Sequence, residues 1–199
     1  MHYPSKKRRR LIRGLYTNDM DCSCNENATI RHAYNCWHRM IERCHNPKYQ
    51  ETCSTYIGCS ICDEWKNFSN FFEWYKVNYK DGCELDKDIL VKGNKVYSPE
   101  TCCFVPQEIN KLIIQRNKKR GKLPIGVYEP QKGVFLAQMH KNGKTVAIGT
   151  FHNANDAFLA YKQKKELYVK EVAKEYYDKG VISHNIYLAL LNFDININD

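Results

Sequence analysis

Ile30, Tyr34, Trp37, Ile41 and Cys44 recur at three- and four-residue spacing, which aligns them along one side of a helix. Asn46-Pro47 ends that helix, because proline restricts its predecessor and cannot donate into a helix interior. A second helix is predicted from near Cys62-Asp63, with Trp65, Phe68, Phe72, Tyr75 and Tyr79 on one side. This aromatic stripe is read as core. Two short extended segments follow, Leu85 to Leu90 and Cys102 to Val105, with the turn-formers KGNK and YSPE between them. A short helix starts after Pro106, a residue suited to a first helical position, and carries Ile109, Asn110, Leu112 and Ile113.

The helical rhythm then stops and a period of two replaces it. IGVYE, GVFLAQMH and TVAIGTF read as short strands, the last two joined through Asn142-Gly143, a strong hairpin signal. With Asn153 or Asn155 as N-cap, a long helix runs to about Asp178, where Gly180 offers a stop. Its packed side is marked by Ala154, Ala157, Phe158, Tyr161, Tyr168 and Val172. A last helix, Ser183 to about Asn192, carries Ile186, Leu188, Ala189 and Leu191. The expected class is α+β. The division is a basic arm (1–28) without periodicity, a helical domain with a hairpin (29–115), a basic linker (116–123), and a three-stranded sheet on a long helix (124–199).

Charge sharpens the picture. Against 22 acidic residues stand 31 basic ones, a net charge of +9, which favours a polyanionic partner. The excess is concentrated in Lys6–Arg10 and in Arg116, Lys118, Lys119 and Arg120, both read as segments that follow a phosphate backbone. No apolar run reaches the roughly 18 residues of a membrane span, and no apolar core follows the first basic cluster, so neither a membrane partner nor a signal peptide is expected. The ten cysteines are then expected as thiols in a reducing cytoplasm.

Two segments carry candidate chemistry. In a hairpin followed by a helix, a carboxylate at the end of the first strand and an amide on the helix can share one Mg²⁺ or Mn²⁺ ion. Asp86 and Asn110 occupy those positions. The series W37-x2-M40-x2-R43-C44, C62-x-E64-W65, LDKD (85–88) and YSPETCCFVPQEIN (97–110) resembles the HNH homing endonucleases of phages and mobile elements. The resemblance implies a ββα-metal (His-Me finger-like) domain, a bacterial cytoplasmic setting, and DNA phosphodiester hydrolysis with one divalent cation at Asp86 and Asn110. Lys87 stands where that family has its general-base histidine, and Thr101 where it has an orienting asparagine. A lysine near its ordinary pKa of ~10.4 is protonated at neutral pH and accepts no proton from water, though it can stabilise phosphorane charge. Asp88, Glu84 and His45 remain candidates for the base. Two alternatives stay open: a DNA-binding derivative that does not cleave, such as a regulator or DNA-blocking protein, and a salt-bridged strand without chemistry.

Residues 125–166 resemble the Apetala-type (ethylene-response-factor-like) DNA-binding domain, on Gly126-Val127, FLAQM, Ile148-Gly149-Thr150-Phe151, and Asp156-Ala157 through Ala160-Tyr161. The resemblance implies a sheet that enters the major groove of double-stranded DNA. By alternation and family position, Tyr128, Gln138, His140 and Thr145 face the bases, while Lys132, Lys141 and Lys144 meet phosphates. Ala147 and His140 replace a tryptophan and an arginine of the family, so no family target sequence carries over. Cys59-x2-Cys62 has zinc-like spacing but lacks a second close pair, so structural zinc is not expected. There is no nucleophile motif, phosphate loop, kinase signature or dinucleotide fingerprint.

Overall fold

The computed structural model describes residues 11–23, 25–113 and 123–197. It divides into two compact units, Met1–Phe104 and Val105–Asp199, and the chain as a whole mixes α and β structure. In the first unit, α1 (Ala28–His45) begins where the Asn27 side chain accepts from the Ile30 amide, and it buries Ile30, Ala33, Trp37, Met40, Ile41 and Cys44. Asn46 ends α1 and starts α2 (Pro47–Thr52), its side chain accepting from the Lys48 and Tyr49 amides. Pro47 is therefore both a stop and a first helical residue, since a missing N–H is harmless there.

The aromatic stripe forms α3 (Phe68–Asn78), which buries Phe68, Phe71 and Tyr75. Phe72, expected on that side, is half-buried instead, and the start expected near Cys62-Asp63 is displaced. A single 3₁₀ turn, Glu64–Lys66, comes first, and Asn67 is extended between it and α3. Trp37 Nε1 donates to the Trp65 carbonyl at 2.7 Å and ties α1 to that turn. β1 (Ser60–Ile61) runs parallel to β3 (Val96–Tyr97), and β2 (Cys83–Asp86) pairs with β4 (Cys103–Pro106). Because β2 stops at Asp86, the expected extension through Leu90 is a loop.

The N-terminal reading needs a correction over part of its length. Residues 1–10 lie outside the described residues, but the segment after them is fastened to the first unit. Tyr16 is 2% exposed, the Thr17 amide donates to the Lys66 carbonyl at 2.9 Å, and Arg13 is paired with Glu42 at 2.7 Å. Asp19 accepts from the Ser69 amide at 2.9 Å. One inserted ring and a few backbone pairings leave no periodic trace in a sequence.

In the second unit, α4 (Gln107–Ile113) is tied to α5 (Ala154–Asp178) where Tyr176 Oη donates to Glu108 Oε2 at 2.9 Å. The sheet is an antiparallel meander of β5 (Val127–Gln131), β6 (Val134–Lys141) and β7 (Lys144–Phe151). Asn142 and Gly143 form the tight turn at φ 52° and 74°. α5, capped by the Asn153 side chain on the Asp156 amide, buries Ala157, Phe158, Tyr161, Tyr168, Val169, Val172 and Ala173. Gly126, at φ +78°, lies so close to α5 that a Cβ there would sit 2.1 Å from Tyr161 Cδ2. In α6 (His184–Leu191) the buried residues are Ile186 and Leu190, and Leu188 is 43% exposed. No described helix is long and apolar enough to cross a membrane.

Candidate functional site

Asp86 ends β2, and its Oδ1 accepts from the amides of Asp88 at 2.7 Å and Ile89 at 2.8 Å. The carboxylate thus forms the corner that turns the chain out of the strand. Burial pushes its pKa above the ordinary value, opposed by those two amides. Both bonds fall on Oδ1, so among the described residues Oδ2 is the oxygen suited to a cation. Mg²⁺-like ions take about six oxygens and keep several as water; one carboxylate oxygen fits such a mostly hydrated site. Among the described residues, no three His, Cys, Asp or Glu side chains gather in metal-holding geometry. The nine described cysteines are free thiols, and burial raises the pKa of both Cys59 and Cys62.

Lys87 is only 5% exposed. Its Nζ donates to both Asp88 carboxylate oxygens, at 2.7 and 2.8 Å, and to the Asn94 carbonyl at 2.7 Å. An ammonium has three protons, and each has an acceptor. The Asn94 amide reciprocates by donating to the Lys87 carbonyl at 2.9 Å, so this side chain closes the 87–94 loop on itself. Thr101 Oγ1 donates to the Val96 carbonyl at 2.7 Å, and so orients backbone. Glu84 is exposed. His45 Nε2 lies 2.5 Å from Tyr16 Oη. Burial, with the charge of Arg13, holds the His45 pKa below its ordinary 6.5 against the opposing Glu42. Asn110 is half-buried on α4 in the second unit, whereas Asp86, Lys87 and Asp88 belong to the first.

On the sheet, paired residues project to the same side. The pairs Tyr128–Leu136 and Leu136–Thr150, then Gln138–Ala147 and His140–Thr145, therefore share one face. The alternate residues Ala137 and Met139 are buried, on the side covered by α5. Tyr128 is 54% exposed, His140 and Thr145 are exposed, and Gln138 is half-buried. All four expected base-facing residues thus lie on the open face. Lys132 is exposed in the turn before β6, and Lys144, also exposed, opens β7 and pairs with Lys141 across the hairpin.

Lys141 differs from Lys132 and Lys144. Its Nζ lies 4.6 Å from the centre of the Tyr168 ring and 3.4 Å from Glu171 Oε2, both on α5, so it braces sheet to helix. Arg116, Lys118, Lys119 and Arg120 lie outside the described residues. The open face also includes Ala147, noted in the sequence as a replacement, and Leu136 and Thr150, which sequence reasoning did not place there. Alternation from Gln138 points to Leu136, but the register shift between Ala137 and Gln138 has no sequence marker and re-aims β7.

Compared with family models, curated proteins and solved structures, the chain matches none.

Proposed function

We propose that this chain grips double-stranded DNA with the open face of the β5–β7 sheet and cleaves it as an HNH-like endonuclease, using Asp86 to hold a Mg²⁺ or Mn²⁺ ion. The observation that carries the binding half is the gathering of Tyr128, Gln138, His140 and Thr145 on the uncovered face, with Lys132 and Lys144 exposed at the two hairpin ends. Such a surface is polar at its centre and cationic at its ends, which suits base edges flanked by phosphates.

The cleavage half rests on the corner carboxylate. Asp86 Oδ2 would hold a divalent ion, whose chemistry would be to acidify a bound water and offset charge on the phosphate. Asp88, Glu84 or His45 would take the water's proton. A second reading, DNA binding without cleavage, is favoured by Lys87: its three protons are all engaged, and it fills the position where a base would stand.

Supercoiled plasmid with Mg²⁺ or Mn²⁺ separates the two. Nicking that is lost in Asp86→Ala, while DNA retardation is kept, supports the enzyme. Retardation without nicking in the wild type establishes the binding-only reading. Absence of retardation even at low salt removes both.

A further inference from the structure

We infer that the open sheet face selects A·T base pairs and discriminates against guanine. The inference rests on the DNA-binding reading above and adds what the face would read. Its ground is what projects there: Leu136, Gln138, His140, Thr145, Ala147 and Thr150, with no arginine or lysine among the strand residues of that face. Guanine is read mainly by arginine or lysine donating to O6 and N7, which are both acceptors. The strand lysines nearest to this region lie on its other side: Lys141 is engaged with Tyr168 and Glu171 of the helix, and Lys144 is its cross-strand partner; Lys132 sits in the turn before β6, where it reaches phosphates.

Gln138 has the complementary chemistry. A glutamine amide can donate to adenine N7 and accept from its N6 amino group at once, a bidentate match that guanine, with O6 in place of N6, cannot complete. Among the described residues the Gln138 side-chain amide makes no hydrogen bond, while its backbone N–H donates to the Gly126 carbonyl at 2.9 Å. Opposite Gln138 stands Ala147, whose methyl, like those of Thr145 and Thr150, suits the C5-methyl of thymine. His140 is paired across the strands with Thr145, Oγ1 to Nδ1 at 3.3 Å. Its other ring nitrogen can reach N7, an acceptor common to both purines, so it marks a purine without choosing between them.

Duplexes with a randomised centre, incubated with the full chain in EDTA to suppress any cleavage and sequenced after capture, test this. Enrichment of a short A·T run is the expected result. In Gln138→Ala the preference for A·T over G·C at one position, read as a ratio within the captured pool, should fall about five-fold or more. Gln138→Arg should move that position to G·C. Guanine enrichment by the wild type, or a flat profile, overturns the inference while leaving DNA binding intact. A similar A·T preference in all three proteins overturns the role of Gln138. Failure to capture any duplex at low salt overturns the binding reading itself, and thermal unfolding shows that each variant is folded.

Discussion

Removing the Lys87 ammonium would take from Asp88 its partner and from the Asn94 carbonyl its donor. Lys87→Met is therefore expected to lower the stability of the first unit by about 1–3 kcal/mol, measured by urea unfolding. Unchanged stability would mean that the loop does not depend on this lysine. His45 makes a pH-dependent contribution of definite sign. Its folded pKa lies below 6.5, so between that lower value and 6.5 the unfolded chain holds a proton that the folded chain does not. Stability then falls as pH drops through 6.5. His45→Gln should flatten this slope in thermal unfolding between about pH 5 and 7, since Tyr16, Arg13 and Glu42 would no longer face a titrating ring.

Helices and strands show which local signals are legible. The Asn142-Gly143 turn and the alternation along β6 were readable because each is local chemistry with one geometric solution, while the cap of α5 was narrowed to Asn153 or Asn155 and the structure uses Asn153. Less was readable where a residue serves two elements. Asn46 closes α1 and caps α2, yet the sequence suggests only a stop. Asn46→Ala is expected to remove about 0.5–2 kcal/mol, seen in the unfolding midpoint of the first unit. Phe71 and Phe72 are adjacent aromatics, three and four residues beyond Phe68, and spacing alone does not say which is buried; the structure buries Phe71. At the site, Asp86 was visible as a carboxylate at a strand end. Its turn-forming bonds to Asp88 and Ile89, and the burial of Lys87 beneath Asp88 and Asn94, depend on how residues 87–95 fold back, which no spacing rule encodes.

For the whole molecule the governing quantity is charge. With a net charge of +9, affinity for duplex DNA should fall steeply, by an order of magnitude or more, between about 50 and 200 mM salt as neutralised phosphates release counterions. A shallow dependence in a titration series would mean that backbone contacts are few. Gly126→Ala tests the second unit separately: a methyl 2.1 Å from the Tyr161 ring at positive φ should destabilise it by about 2–5 kcal/mol. That close approach has a kinetic meaning as well. With the tyrosine seated against a bare backbone, sheet and helix are keyed at one fixed depth, and the strands have no room to slide. A partner would meet a surface already in its final shape, so association should show a single concentration-dependent phase, with no slower rearrangement after first contact.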